Sequence, residues 1–522
     1  MLTVFLFFGI VLLIMAGIFS FFSHTLRFID RTDYFNDAVL LYLYELFMFA
    51  VFLLVFASAL ITGLFGLFSG QHQLLLAVSP KYSLIPVLVL ARMFITSLWP
   101  ILILVLPALF AIAITYPLSF VGALMSLVSL ILFVLLAVIS ALSLILGIAW
   151  LILRLKPSFL HFHTLSFVVL LIGALLFSFM WHSISDIRLT TLFKAEAVEL
   201  TQADSGLIQN HFSMLPSHPT AMILFSAGKD DLAEILKNVV VLSFFVGTAT
   251  FVFLIFRRYH LVLWQIFQLN QVSKKSTALT NFETLLARAN GPQSALFRRE
   301  LVTFFRNTNG MTWFGFFTLI WFFQVGSMFI LDNKLSERPT TLPFLVIALQ
   351  VAATIYFVNM FVLRFAFPTF SMDQKMSRIV QSAPVDTVTL FFGRIRFYVP
   401  LIAFLGLIFT LLNTFILEIS TFGTLVILGC IFLATVSVTL YGLALGALFP
   451  NYETSDPEIL STSLPGLTFI FTSLLYGSFA AFAVRSNFVD PGNPFIFLFI
   501  FISLGVSILS ILVPKHKLAE RA

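Results

Sequence analysis

Long apolar runs alternate with short polar stretches along the whole chain, and this pattern predicts membrane-spanning helices. At 1.5 Å of rise per residue, about 20 apolar residues cross the roughly 30 Å hydrocarbon core of a bilayer. Twelve runs approach or exceed this length, at about 1–22, 40–67, 91–115, 120–152, 164–184, 238–256, 311–331, 342–364, 396–417, 421–449, 464–484 and 494–513. The sequence therefore predicts an all-α polytopic membrane protein with about twelve transmembrane helices.

A short polar segment between two apolar runs occurs twice. The first copy, LLLAVSPKYSLIPVLVLARMF, covers residues 74–94, and the second, RIVQSAPVDTVTLFFGRIRFY, covers residues 378–398. When Pro80 is aligned with Pro384, a small residue precedes each proline and an arginine lies twelve residues after it. The equivalent placement of the two elbows predicts an internal repeat.

The repeat divides the chain into three predicted parts. Residues 1–256 form a first six-span half with an extracytoplasmic loop at about 185–237, and residues 311–522 form a second six-span half. Residues 257–310 form a cytoplasmic linker and an interfacial helix between them. Because an even number of spans separates the two elbows, both lie on one side of the membrane and the halves are parallel rather than inverted.

The end of the linker has the pattern of a helix that lies in the membrane interface. If residues 296–306 are helical, one face carries the apolar side chains Phe297, Leu301, Phe304 and Phe305. Arg299 and Arg306 fall on the opposite face and Arg298 at its edge, as expected of a helix in the cytoplasmic interface. The alternative is a basic linker that only joins the halves.

Composition excludes a soluble globular domain. The chain is 60% hydrophobic and 10% charged, whereas soluble domains carry about 25% charged residues. The single cysteine, Cys430, lies in an apolar run, so the sequence predicts neither a disulfide framework nor a cysteine metal cluster. The net charge of +6 does not by itself indicate nucleic acid, because in a membrane protein the distribution of Lys and Arg first reports orientation.

The basic residues are distributed unequally between the two sides of the predicted spans. With the elbows inside, the inside segments hold 20 Lys and Arg and the outside segments hold 9. By the positive-inside rule, this split predicts that both termini are cytoplasmic. The expected location is a bacterial inner membrane.

A few polar residues are candidates for function. Glu45 lies near the outer end of the second run, where it could line a transport pathway or simply reach water at the interface. The acidic residues Glu453, Asp456 and Glu458 could contact a basic patch on a partner, chelate a cation or, at Asp456, start a helix. Arg92 and Arg396, after the elbows, are predicted to anchor the following helices at the lipid phosphates.

The elbow sequence Ser-Ala-Pro at 382–384 and the string LGALFPNYETSDPEILSTS at 445–463 are the most specific motifs. Together with the two six-span halves, they resemble permeases of ATP-binding-cassette transporters. The resemblance is to the type-two class, in its exporter group with two fused membrane halves. The first half departs from the pattern, because Arg154 and Lys156 stand where the second half has acidic residues.

The resemblance implies that each elbow is a coupling loop that docks on a separate cytoplasmic ATPase subunit, with two such subunits per chain. The docking residues would be Ser79, Pro80, Lys81 and Tyr82 in one half and Ala383, Pro384, Val385 and Asp386 in the other. Apart from the resemblance, Arg298 and Arg299 of the amphipathic segment are predicted to be interfacial anchors like Arg92 and Arg396.

A phosphate loop requires Gly-x-x-x-x-Gly-Lys followed by Ser or Thr, and the chain has a single Gly-Lys pair, at Gly228 and Lys229, without the first glycine. The prediction is therefore a permease subunit of an exporter that is not itself an enzyme, with ATP and Mg bound by the partner. The first alternative is an ion-coupled carrier with parallel six-span repeats. The second is a membrane-embedded enzyme that uses the loop at 185–237.

Overall fold

The computed structural model describes most of the chain from residue 37 onward. The described ranges are 37–68, 84–115, 119–155, 162–185, 212–213, 215–272, 292–326, 342–373, 387–453, 457–490 and 492–519, together with residues 8, 9, 11, 12, 15–20, 22, 23 and 26. Both predicted elbows, Ser79 to Tyr82 and Ala383 to Asp386, lie outside these ranges, as does Asp456.

Every regular element in the described ranges is a helix. In chain order they are α1 (Asp37–Phe68), α2 (Ile85–Thr115), α3 (Phe120–Leu155), α4 (Phe162–Ser185), α5 (His218–Ala227), α6 (Leu232–Arg257), α7 (His260–Val272), α8 (Pro292–Arg306), α9 (Thr308–Gly326), α10 (Leu342–Phe361), a π-helical turn (Val362–Ala366), α11 (Thr369–Met372), α12 (Thr387–Ile416), α13 (Thr421–Leu448), α14 (Pro457–Ser461), α15 (Leu464–Val489) and α16 (Pro494–Ala519).

Nine helical stretches in the described ranges are long and apolar enough to cross a membrane. They lie in α1, α2, α3, α6, α10 with its following turns, α12, α13, α15 and α16. Shorter apolar stretches lie at Val105–Thr115, Thr164–Leu175 and Gly310–Gly326. The all-helical membrane class is therefore confirmed, whereas the predicted number of twelve spans is not.

Several helices begin earlier than the apolar runs predicted, and two of them follow the elbows. Helix α2 starts at Ile85 rather than near residue 91, and α12 starts at Thr387 rather than near residue 396. The predicted runs began at or next to a charged residue, Arg92 or Arg396, that lies inside the observed helix. Hydropathy marks where a helix enters hydrocarbon, while backbone hydrogen bonding decides where the helix begins.

The chain folds into two compact units. The first unit is Val11–Lys275, and the second is Ser276–Ala522 together with Met1–Ile10. In the first unit α3 is central and packs against α1, α2, α5 and α6. Its buried face carries small residues between large ones, such as Ala137 and Ala141 beside Phe133 and Leu142, which lets neighbouring helices approach closely.

In the second unit α13 is central and packs against α10, α12, α15 and α16. Glycines on α13 face the segment that follows α10. A methyl group added at Gly446 would overlap with the carbonyl oxygen of Phe367, and one at Gly442 would overlap with the side chain of Val362. Close helix packing therefore places residues 362–373 directly against α13.

Candidate functional site

Four charged residues meet in the second unit, and we call them the Arg394 cluster: Arg299, Glu300, Asp373 and Arg394. They come from three segments of the chain. Arg299 and Glu300 lie on the amphipathic helix α8, Asp373 follows α11, and Arg394 lies two turns into α12. The cluster therefore connects the amphipathic helix to two elements of the membrane bundle.

Arg394 is at the centre of the cluster. Its side chain is 2% exposed, and its Nη2 donates to Oδ2 of Asp373. Its Nε donates to Oε1 of Glu300 at 3.4 Å, and its guanidinium carbon lies 3.9 Å from the ring centroid of Phe370. At the edge of the cluster, Nη2 of Arg299 donates to Oδ1 of Asp373 at 2.7 Å. Asp373 thus bridges a buried and a half-exposed arginine.

Aromatic rings of the same segments surround the charges. Phe304 of α8 packs edge-on against Phe365 of the π-helical turn and against Phe397 and Tyr398 of α12. Such an apolar surround weakens screening by water, so each charge depends on its partners. The cluster is suited to hold three segments together as one rigid body.

The carboxylates of the cluster pair with arginines rather than with each other. Both carboxylates are engaged by guanidinium groups of the cluster. Among the described residues, no group of three or more His, Cys, Asp or Glu could hold a metal ion. The arrangement links α8 to α12 and to the residue after α11 through charged hydrogen bonds.

The structure locates several predicted site residues and leaves the others outside the described ranges. Of the predicted anchors, Arg299 joins the cluster, Arg298 is half-buried, and Arg92 and Arg396 are exposed two to three turns inside their helices. Glu453 is exposed, and Glu458 is part of the short helix α14. The coupling residues of both elbows and Asp456 lie outside the described residues, so those predictions stay predictions.

Sequence reasoning missed Glu300, Asp373 and Arg394 as a set. Two signals could have found them. Glu300 interrupts the apolar face of α8 between Phe297 and Phe304, and Arg394 interrupts the apolar face of α12. In the repeat alignment, Leu90 occupies the position that corresponds to Arg394, so the cluster has no arginine counterpart in the first half.

A second buried polar contact lies in the first unit. Glu45 of α1, with 0% of its side chain exposed, lies 2.5 Å (Oε1) from Nδ1 of His218, the first residue of α5. Tyr42 and Phe212, which stack edge to face, belong to the apolar cluster at the same helix pair. Glu45 is therefore buried inside the protein and does not reach the interface water that its position in the sequence suggested.

We predict that this contact stabilises the first unit. Replacing His218 with alanine should lower the free energy of unfolding by about 1–3 kcal/mol, because Glu45 loses its hydrogen-bond partner while buried. Glu45→Gln should cost less, since the amide can still bond to the imidazole. The measurement is the midpoint of unfolding in a denaturing detergent titration. If the loss in the double variant, with both substitutions, equals the sum of the losses in the two single variants, the two side chains do not interact, and the pairing is contradicted.

The comparisons with known proteins identify a family. Residues 1–490 match the family model described as "Putative ATP-binding cassette". The chain belongs to this family. No curated protein and no solved structure gives a match.

The family match corrects four of the predictions. On its description, which names an ATP-binding cassette, the prediction of a permease subunit of an exporter is wrong, and so is the assignment to the permease class. The alternative of an ion-coupled carrier is not supported either. The predictions that the chain is not an enzyme, and that ATP and Mg are bound by a partner alone, are contradicted by the same description.

The residues of the chain can be compared with what an ATP-binding cassette needs. Its phosphate loop connects a strand to a helix and carries a lysine that reaches the phosphates. Lys229, in the single Gly-Lys pair, instead lies over the ring of Phe225 at 4.3 Å and is followed by Asp230 and Asp231. All regular elements in the described part of the chain are helices. These residues do not fit a phosphate loop of that type.

Proposed function

We propose that this chain is a membrane-embedded ATP-binding-cassette transporter protein in which the Arg394 cluster transmits movement from the membrane surface into the helical bundle. The observation that carries the proposal is the burial of Arg394 between carboxylates of two other segments. The family match supports an ATP-linked activity, and the nine apolar helices support a function in the membrane.

The position of the cluster along the chain supports this function. Asp373 and Arg394 flank the second elbow, Ala383 to Asp386, one on each side. Their ion pair joins Asp373, before the elbow, to Arg394, after it, and Glu300 links the same arginine to α8. A force applied to the elbow would therefore move α8 and α12 together.

The two elbows are the proposed docking sites for a partner. Cytoplasmic ATPase subunits would dock at the two elbows, Ser79 to Tyr82 and Ala383 to Asp386, with Glu453 and Glu458 as additional acidic contacts. The excess of Lys and Arg on the elbow side supports a cytoplasmic location of both elbows and both termini, in a bacterial inner membrane. The transported substrate would be handled by the helical units themselves.

The test is a spin-label distance measurement across the second unit. Cys430, the single cysteine, is buried and can be replaced by alanine to give a cysteine-free background. Labels at Thr303 on α8 and Val489 on α15 occupy exposed positions. With Mg-ATP and vanadate, the distance is expected to change by on the order of 2–5 Å, the scale of helix shifts in switching proteins.

Matched variants show whether the cluster transmits the change. Arg394→Lys keeps the charge but cannot bond to both carboxylates in the same way, and it should abolish the distance change. Arg396→Lys, two residues further along α12 at an exposed position, should retain it. Asp373→Asn provides a second test if the Arg394 variant does not fold. Equal responses in both arginine variants, or no response to nucleotide in any sample, would refute the proposal.

The same measurement separates nucleotide binding by this chain from binding by a partner. The chain is labelled both alone in nanodiscs and after purification with any co-purifying ATPase subunits. A response that requires those subunits and disappears in the Pro80→Asp, Pro384→Asp double variant supports docking at the elbows. A response of the isolated chain, unaffected by these substitutions, would refute the docking proposal and locate the nucleotide on this chain.

A further inference from the structure

A cavity of about 620 Å³ lies between α3 and α6 in the first unit. We call it the α3–α6 groove. Its lining runs along α3 from Leu136 to Leu151 and along α6 from Phe245 to Phe256. At 1.5 Å per residue the α3 wall is about 22 Å long, which exceeds the roughly 15 Å depth of one leaflet of hydrocarbon. The groove is therefore long enough to hold one acyl chain along the helices.

The walls of the groove present mainly apolar groups. Gly147 leaves space in α3, and a methyl group added there would meet only the Phe256 ring, at 3.5 Å or more. The hydroxyl groups of Ser143 and Thr248 donate to carbonyl oxygens of their own helices, Ile139 and Phe244, so they do not require a polar ligand. Water finds few hydrogen-bond partners on such a surface, whereas a hydrocarbon chain can pack against it.

One end of the groove is basic and aromatic. The Arg154 guanidinium lies 4.5 Å from the ring centroid of Trp150, a residue of the groove wall. Trp150 in turn packs against Phe256 and Tyr259, with ring centroids 5.9 and 6.2 Å away. Arg257 and Arg258 follow Phe256 at the end of α6. The two helices that line the groove thus finish with arginines at the same end, where Trp150 and Phe256 lie.

The charge of this end is not balanced by carboxylates in the described part of the unit. Arg154, Arg257 and Arg258 form no ion pair with any described residue, and α6 carries its acidic residues, Asp231 and Glu234, at the opposite end. Arginine binds phosphate oxygens through paired N–H donors, and tryptophan prefers the level of the lipid headgroups. The end of the groove therefore favours a phosphate with negative charge.

We propose that the α3–α6 groove binds an anionic phospholipid, with an acyl chain along the apolar walls and the phosphate on Arg154 and Arg257. The ligand comes from the leaflet on the arginine side of the membrane. A zwitterionic phospholipid offers the same acyl chain but brings its own positive charge to the arginines. The groove should therefore select by headgroup charge, as basic pockets between membrane helices do.

Quenching of Trp150 by brominated lipids tests the proposal. The full chain is reconstituted in nanodiscs of phosphatidylcholine that contain one-fifth brominated phosphatidylglycerol or, in parallel, one-fifth brominated phosphatidylcholine. The chain has six tryptophans, so the Trp150 signal is obtained by subtracting the spectrum of Trp150→Phe. We expect occupancy by the anionic lipid to exceed that by phosphatidylcholine by roughly fivefold for each arginine that contacts it.

Two variants and one matched control define the site. Arg154→Gln with Arg257→Gln should remove the preference for phosphatidylglycerol, whereas Arg92→Gln, an exposed arginine on α2, should leave it intact. Gly147→Leu should fill the groove and reduce quenching by both lipids without changing any charge. This variant carries the test if the arginine variants are not recovered as folded protein.

The opposite results would overturn the proposal. Equal quenching by the two brominated lipids would mean that ordinary bilayer lipid or detergent fills the groove without headgroup selection. A preference for phosphatidylglycerol that survives both the arginine and the Gly147→Leu substitutions would place the lipid elsewhere. Either result is independent of the Arg394 cluster, which belongs to the other unit.

Discussion

Replacing Arg394 with glutamine is expected to lower the free energy of unfolding by about 3–5 kcal/mol, the typical cost of removing one partner from a buried ion pair. The side chains of Arg394 and Glu300 are 2% and 10% exposed, so water cannot replace the lost contact of Glu300. Asp373 is more exposed and keeps Arg299 as a partner, which reduces its share of the loss. The measurement is the unfolding midpoint in a denaturing detergent titration.

The control for this prediction is Arg396→Gln, which removes the same charge from an exposed position on the same helix and should change stability by about 0.5 kcal/mol or less. A triple variant, Arg394→Met with Glu300→Gln and Asp373→Asn, removes the buried charges together. It should be more stable than Arg394→Gln alone, because no carboxylate is then left without its partner. A triple variant less stable than the single variant would show that the cluster does not act through paired charges.

The second large effect is expected at Gly446. Alanine at this position should destabilise the second unit by about 2 kcal/mol or more, because its methyl group would overlap with the backbone carbonyl of Phe367, which cannot move without displacing residues 362–373. Alanine normally favours a helix over glycine by about 1 kcal/mol, so the loss is a net value after that gain.

Gly429 lies on the same helix and provides the matched control. No atom lies within 4 Å of a methyl group added there, so Gly429→Ala should be neutral or stabilise by up to about 1 kcal/mol. Opposite signs for the two glycines in the same unfolding titration would confirm the close approach of α13 to residues 362–373. Equal effects would exclude it.

Local sequence pattern predicted the elements that depend on neighbours along the chain. The amphipathic pattern at residues 296–306 predicted a helix that the structure extends to Pro292–Arg306, and the apolar runs predicted most of the long helices. On its apolar face Phe304 is 7% exposed and Phe305 is 43% exposed, and exposure of an apolar side chain is compatible with a helix whose face meets lipid. A face of one helix can be read from spacing, but what covers each residue of that face depends on elements elsewhere.

The number of residues between partners explains what the sequence could not predict. Arg394 lies 94 residues from Glu300 and 21 from Asp373, and Glu45 lies 173 residues from His218. In the repeat Arg396 aligns with Arg92, whereas the buried arginine, Arg394, lies two residues before Arg396. Helix periodicity cannot tell which of these two arginines is buried. A charged side chain is buried where a carboxylate from a distant segment pairs with it.

By itself, the sequence determined that the chain is helical and embedded in a membrane, because apolar length and low charge set the free energy of transfer from water to lipid whatever the helices later contact. Tertiary structure decided which charges are buried, where Gly446 admits a neighbouring backbone, and where α3 and α6 leave a groove beside arginines. Those features depend on close packing between segments far apart in the chain, and packing of this kind leaves no local pattern.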